Sequence, residues 1–144
     1  SPFVQFALNE LQAQGLSDER LYQACLVVLD ERGQRDCILA LEVLTTHSHD
    51  KERLHFDLVE RIGINRGSSR VILNYFKTLD SAELQVWQQL SAQIQQLSDF
   101  REIDISLALL AKMAGDDAIV RERVAELLQS EDPFLVRRAK DFLR

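Results

Sequence analysis

The residues best suited to hold an anion fall in one run. From Arg61 to Leu79 there is no Asp or Glu, while Arg61, Arg66, Arg70 and Lys77 supply four positive charges. Inside it, Gly63-Ile64-Asn65-Arg66-Gly67-Ser68-Ser69-Arg70 leads into a helix start. Free amides at a helix N-terminus, the Ser68 and Ser69 hydroxyls and two guanidinium groups can together take a phosphate or a carboxylate through charge-assisted hydrogen bonds. The plainer reading of the same letters is a serine-capped turn with solvated arginines. The run lacks the Gly-Lys-Ser/Thr ending of a phosphate-binding loop and follows a helix instead of a strand, so nucleotide hydrolysis does not follow. A helix-turn-helix spacing around Gly63-Ile64-Asn65 falls one residue short, and its flanks are acidic where a DNA reader needs Lys and Arg.

A second window gathers His47, His49 and His55 with Asp50 and Glu52. Imidazoles and carboxylates at close spacing can bind a divalent ion. This window, however, bridges a helix end and a helix start and contains no His-Glu-x-x-His pattern, so we expect a polar interhelix turn and no metal site. Asp57, Glu60, Glu102 and Asp104 are the candidate acids, yet carboxylates spaced i, i+3 on a helix are mostly solvated surface. No Ser, Cys or Lys stands beside a histidine as a nucleophile does. We therefore expect no catalytic residues, no cofactor and no enzymatic role. Trp87 lies in a glutamine-rich stretch almost free of charge after Glu83. Its indole is a candidate partner anchor, with an inward stripe of Trp87, Leu90, Ile94 and Leu97 as the alternative.

The elements that carry these residues recur with a beat of about 16 residues, roughly nine times. Apolar residues at i, i+3, i+4 and i+7 mark amphipathic helices. The stripes are Val4, Ala7, Leu8, Leu11; Leu21, Ala24, Cys25, Val28; Cys37, Ala40, Leu41, Leu44; Leu54, Leu58, Ile62; Ile72, Tyr75, Phe76, Leu79; and the Trp87 stripe. After it come Ile103, Leu107, Leu110, Ala114; Val120, Val124, Leu127, Leu128; and Leu135, Ala139, Phe142, Leu143. No run alternates with period two, so no sheet is expected. Starts are signalled after Gly15, Gly33, His49 and Gly67, at Asp80-Ser81, at Asp99 with Glu102 as a capping box, after Gly115, and at Asp132-Pro133. Short loops make neighbouring helices antiparallel.

The last two helices share a pattern. Asp132, Pro133, Val136, Arg137, Ala139 and Leu143 are echoed by Asp116, Val120, Arg121, Val124 and Leu127 sixteen residues earlier. Across residues 116–144 this resembles the HEAT-repeat class, including the short repeats of its bilin-lyase-like subgroup. The resemblance implies a right-handed superhelix of about nine antiparallel-paired helices, an α-solenoid. It also implies that Asp116 and Asp132 sit in turns and that Arg121 and Arg137 reach acids of neighbouring repeats as a polar ladder. The earlier helices share the period but lack the Val-Arg pair, and a compact helical bundle is the alternative.

The 144 residues, 46% of them apolar, suffice for one domain over 1–144 that buries roughly 70% of its unfolded surface. The chain reads as a piece of a longer protein. Cys25 and Cys37 lie on apolar stripes and read as buried thiols, which points to a reducing, cytoplasmic setting. No apolar run approaches the ~20 residues of a membrane span. A net charge of −6 disfavours nucleic acid and anionic membranes. The expected function is that of an adaptor, regulator or scaffold that binds another protein, with an acidic segment as the fitting partner for Arg61–Lys77. Binding of nucleic acid or a phosphate ligand through the same run is the alternative.

Overall fold

The structure, a computed structural model, describes residues 18–144 together with Asn9; the Val4 stripe and the boundary at Gly15 lie outside the described residues. Eight α-helices follow one another: α1 (Asp18–Glu31), α2 (Gln34–His47), α3 (Lys51–Val59), α4 (Arg66–Phe76), α5 (Leu84–Gln93), α6 (Phe100–Ala114), α7 (Ala118–Glu126) and α8 (Pro133–Leu143). Single 3₁₀ turns, Ile94–Gln96 and Leu127–Gln129, follow α5 and α7. There is no strand among the described residues. The described residues are all-α.

Carboxylate and amide side chains fix most helix starts by accepting from the first free amides. Asp50 accepts from the Arg53 amide, Asp117 from Val120, and Asp132 from Phe134, with Pro133 at the first helical position. Asp99 accepts from the amides of Arg101 and Glu102. Two starts differ from the sequence reading. The helix expected to begin at Ser68-Ser69 begins at Arg66 with Asn65 as its cap, so Gly67 lies in its first turn. The Trp87 helix opens at Leu84 after Glu83 instead of at Asp80-Ser81, and its cap makes no side-chain hydrogen bond.

The apolar stripes meet in one core. Leu29, Cys37, Leu44, Leu54, Leu58, Ile72, Phe76, Leu90, Leu110, Val120 and Ala139 are buried, as are the free thiols of Cys25 and Cys37. Removal of each large aliphatic side chain from water contributes roughly 1.5–3 kcal/mol. Burial pushes the Cys25 thiol up to about 12 and the Cys37 thiol to about 11, so both stay protonated at neutral pH. Trp87 is 2% exposed and meets Phe76 edge-on at 5.8 Å. It is a core residue, and no partner can reach its indole.

Packing follows a simple order. Helix α2 lies against α4, α4 against α6 and α6 against α8, while α3 lies against α5 and α5 against α7. Consecutive contacts join α1 to α2, α5 to α6 and α7 to α8. Short connections make successive helices antiparallel, so each helix runs parallel to the next but one.

Candidate partner-binding surface

The run from Arg61 to Lys77 spans the turn after α3, all of α4 and its C-cap. Gly63 sits at φ 88°, a conformation that favours glycine, and a Cβ there would stand 2.8 Å from the Gln96 Cβ. At Gly67 a Cβ would lie 2.8 Å from the Gly33 carbonyl carbon and 2.9 Å from the Gln34 nitrogen, closer still to the Arg32 carbonyl oxygen. Three connections therefore touch at backbone distance here: α1–α2, α3–α4 and α5–α6.

Asn65 binds the first two of them. Its Oδ1 accepts from the Gly67 amide at 3.2 Å, and its Nδ2 donates to the carbonyls of Leu29 (2.7 Å) and Arg32 (2.8 Å) at the end of α1. Gln93, at the end of α5, plays a similar part. Its Nε2 donates to the carbonyls of Glu60 (3.1 Å) and Ile62 (2.8 Å) after α3. One uncharged amide thus takes up helix-end carbonyls that would otherwise be left unpaired. Neither residue carried a sequence signal beyond its type.

The anion site assembled from sequence comes together only in part: Arg66, Ser69 and Arg70 line one polar cavity, whereas Arg61, Ser68 and Lys77 are not among its walls. Ser68 and Ser69 are both buried, and both hydroxyls donate to the Asn65 carbonyl, at 3.2 and 3.1 Å. The Ser69 hydroxyl also accepts from the Gly63 amide at 2.8 Å. These hydrogen bonds close the turn. Arg61 donates to the Asp57 carbonyl at 2.7 Å and pairs with Asp30 at 2.9 Å. Arg70 pairs with Asp99 at 3.2 Å and stands 3.8 Å from Glu102, which therefore faces Arg70. Burial raises the Glu102 carboxyl above its usual range; Asp99 adds to the rise, and Arg70 and Arg66 oppose it. A polar cavity of about 220 Å³ lies here, lined in part by Arg66, Arg70, Asp99 and Glu102. Two cations of the run remain exposed: Arg66 and Lys77, neither of which makes an ion pair or hydrogen bond among the described residues.

Ion pairs join parallel helices. Arg53 of α3 forks onto Glu19 of α1 at 2.7 and 2.8 Å, which holds the Glu19 carboxyl down at about 2, and its guanidinium lies 4.2 Å over the Tyr22 ring. The Tyr22 hydroxyl donates to Asp57. Arg138 of α8 pairs with Asp104 of α6 at 3.0 Å and lies over Phe134, which stacks on Phe100 at 4.3 Å.

The ladder drawn from Asp116, Arg121, Asp132 and Arg137 changes in its details. Asp116 lies in a turn and Asp132 caps α8, but the cap of α7 is Asp117. Arg121 donates to the carbonyls of Gly115 (3.1 Å) and Leu143 (2.7 Å) instead of to an acid, because the open end of α8 presents its carbonyl there. Arg137 is exposed beside Pro133 and Lys140, and its neighbour Arg138 makes the pair with an acid. The histidines are also separated. His55 is buried and shares a 3.0 Å hydrogen bond with Tyr75, whereas His47 and His49 line a cavity of about 160 Å³ floored by Leu21, Cys25 and Leu44. No group of three or more His, Cys, Asp or Glu is placed to hold a metal ion among the described residues.

No protein family, curated protein or solved structure matches this chain. Its function therefore has to be argued from the surface. Beside Lys77 the packing of α4 on α6 leaves an open groove of about 410 Å³, lined by Lys77, Asp104, Ile105, Ala108, Leu109 and Lys112. The sequence reading reached Lys77 but not Lys112, which lies 35 positions later and returns at the same place on the next parallel helix. No helix of the described residues is long and apolar enough to cross a membrane.

Proposed function

We propose that this chain is a protein-interaction module, an adaptor, regulator or scaffold whose helices are arranged as a HEAT-like α-solenoid. The observation that supports it is the packing of every helix from α2 to α6 on the next but one, an order that in a helical stack leaves faces and grooves open to a partner. In two of the described cavities the acids and arginines are paired with each other: Glu19 with Arg53, and Asp99 with Arg70. Those charges are taken up within the fold, and we assign no reaction to them. The contact surface includes the α4 segment through its exposed cations Arg66 and Lys77, and an acidic segment of a partner complements them.

The test is a pull-down from native lysate, with and without nuclease, using the wild-type chain and the Arg66→Glu, Lys77→Glu variant. Both positions are exposed and outside the ion pairs, so the fold is retained. Recovery of a stoichiometric protein that falls by about tenfold in the variant, and falls as salt rises, supports the reading. Recovery that is unchanged by reversal of both charges, or that disappears with nuclease, overturns it.

A further inference from the structure

The groove between α4 and α6 joins an apolar floor to two exposed lysines, and its one acid, Asp104, is already paired with Arg138. On α6, Asp104, Ala108 and Lys112 follow at i, i+4 and i+8, one turn apart on a single line, with Ile105 and Leu109 beside them. Leu109 is buried, Ile105 is half-buried, and the small, exposed Ala108 leaves the notch between the charged positions. Asp104 is paired with Arg138 at 3.0 Å, so its charge is compensated. Lys77 and Lys112 are exposed and make no ion pair or hydrogen bond among the described residues. Since α4 ends at Phe76 and α6 at Ala114 and the two run parallel, both lysines stand at the same end of the groove.

This layout selects its occupant. A polyanion such as nucleic acid meets a chain whose net charge, the two lysines included, is −6, and gains nothing from Ile105 and Leu109. A neutral apolar helix uses the floor but leaves both ammonium groups without a counter-charge. A helix with an apolar side chain on one stripe and carboxylates a turn away satisfies both halves. We infer that the α4–α6 groove docks an acidic amphipathic segment of a partner protein, its apolar anchor seated on Ala108 and its carboxylates facing Lys77 and Lys112. The inference rests on the protein-interaction reading and narrows it to one site and one chemistry.

The experiment is an NMR titration of the isotope-labelled full chain. The probe is a short helical peptide with leucine and phenylalanine on one stripe and glutamate at the flanking positions. Its glutamine counterpart and a single-stranded oligonucleotide of equal charge serve as comparisons. Shifts centred on Lys77, Ile105, Ala108, Leu109 and Lys112 are expected at about millimolar peptide or below. Affinity should fall at least about tenfold with the glutamine peptide and with the Lys77→Glu, Lys112→Glu variant. Ala108→Trp, a bulky side chain at an exposed site, should abolish binding, whereas Ala108→Ser should preserve it. Shifts that map elsewhere on the stack, or a Trp variant that binds as wild type, overturn the groove and leave the module reading standing. Tighter binding of the oligonucleotide at the same residues overturns the protein-partner chemistry itself. No shifts with any peptide overturn the groove, and the module reading is then decided separately by its pull-down.

Discussion

His55 shows how a residue that looks like chemistry becomes structure. Its place in a window of three histidines suggests a ligand, but the fold buries it at 7% exposure against Tyr75 and Phe76. Burial, with a smaller contribution from Lys51, lowers its pKa below the usual 6.5 because the charged imidazolium loses solvent. The unfolded chain binds the proton more readily, so stability is fully present above the unfolded pKa and is lost as pH falls through it towards the lower folded value. Urea midpoints measured from about pH 7.5 down to about pH 5.5 should therefore decline for the wild-type chain. The His55→Gln variant, which keeps a polar partner for Tyr75, should lose most of that slope, and an unchanged slope would place the titrating group elsewhere. The same conversion applies to Ser68 and Ser69. Nothing in a linear Ser-Ser-Arg tells a free hydroxyl from one that donates to the carbonyl of Asn65, because the difference is made by burial against another loop.

Elements were the most legible level. The stripes at Leu21, Cys37, Leu54, Ile72, Trp87, Ile103 and Val120 identify helices that form, since a 3.6-residue period admits one buried face. That period also turns Trp87 inward with Leu90 and Ile94. Boundaries were read less well where tertiary contacts set them. At α4, serines are good caps in isolation, yet the helix begins two residues before Ser68 because Asn65 is held by the end of α1. The Asn65→Asp variant separates these roles. Asp caps a helix as well as Asn does, so the α4 start is preserved. The two donors to Leu29 and Arg32 are lost, and a carboxylate is brought against carbonyl oxygens instead. The expected loss is about 1–3 kcal/mol in urea unfolding. A loss of only a few tenths, the ordinary scale of an exchange between two good caps, would show that the tie to α1 contributes little.

At the scale of the whole molecule, the question is whether the helices share one core equally or are stabilised by their immediate neighbours. The ties favour the second arrangement: Arg53 to Glu19, Arg61 to Asp30, Arg70 to Asp99 and Arg138 to Asp104 each join a helix to the next but one. Exposed pairs of this kind contribute little individually, about 0–1 kcal/mol. Helix α6 has α4 on one side and α8 on the other and buries six residues, among them Ile103, Leu107 and Leu110. Helix α8 lies against α6 and α7, and Ala139 is its one buried residue, with Phe134, Leu135, Phe142 and Leu143 half-exposed. If stability is a sum of neighbour terms, opening α8 exposes little apolar surface and leaves the α4–α6 contact intact. Hydrogen exchange of the 144-residue chain should then show α8 amides exchanging well before those of α6, by at least about a hundredfold in protection, with α7 between them. A bundle that unfolds as one unit would protect α6 and α8 alike. That equality would reject the stacked arrangement on which the open α4–α6 groove is taken to be one of a series of binding faces.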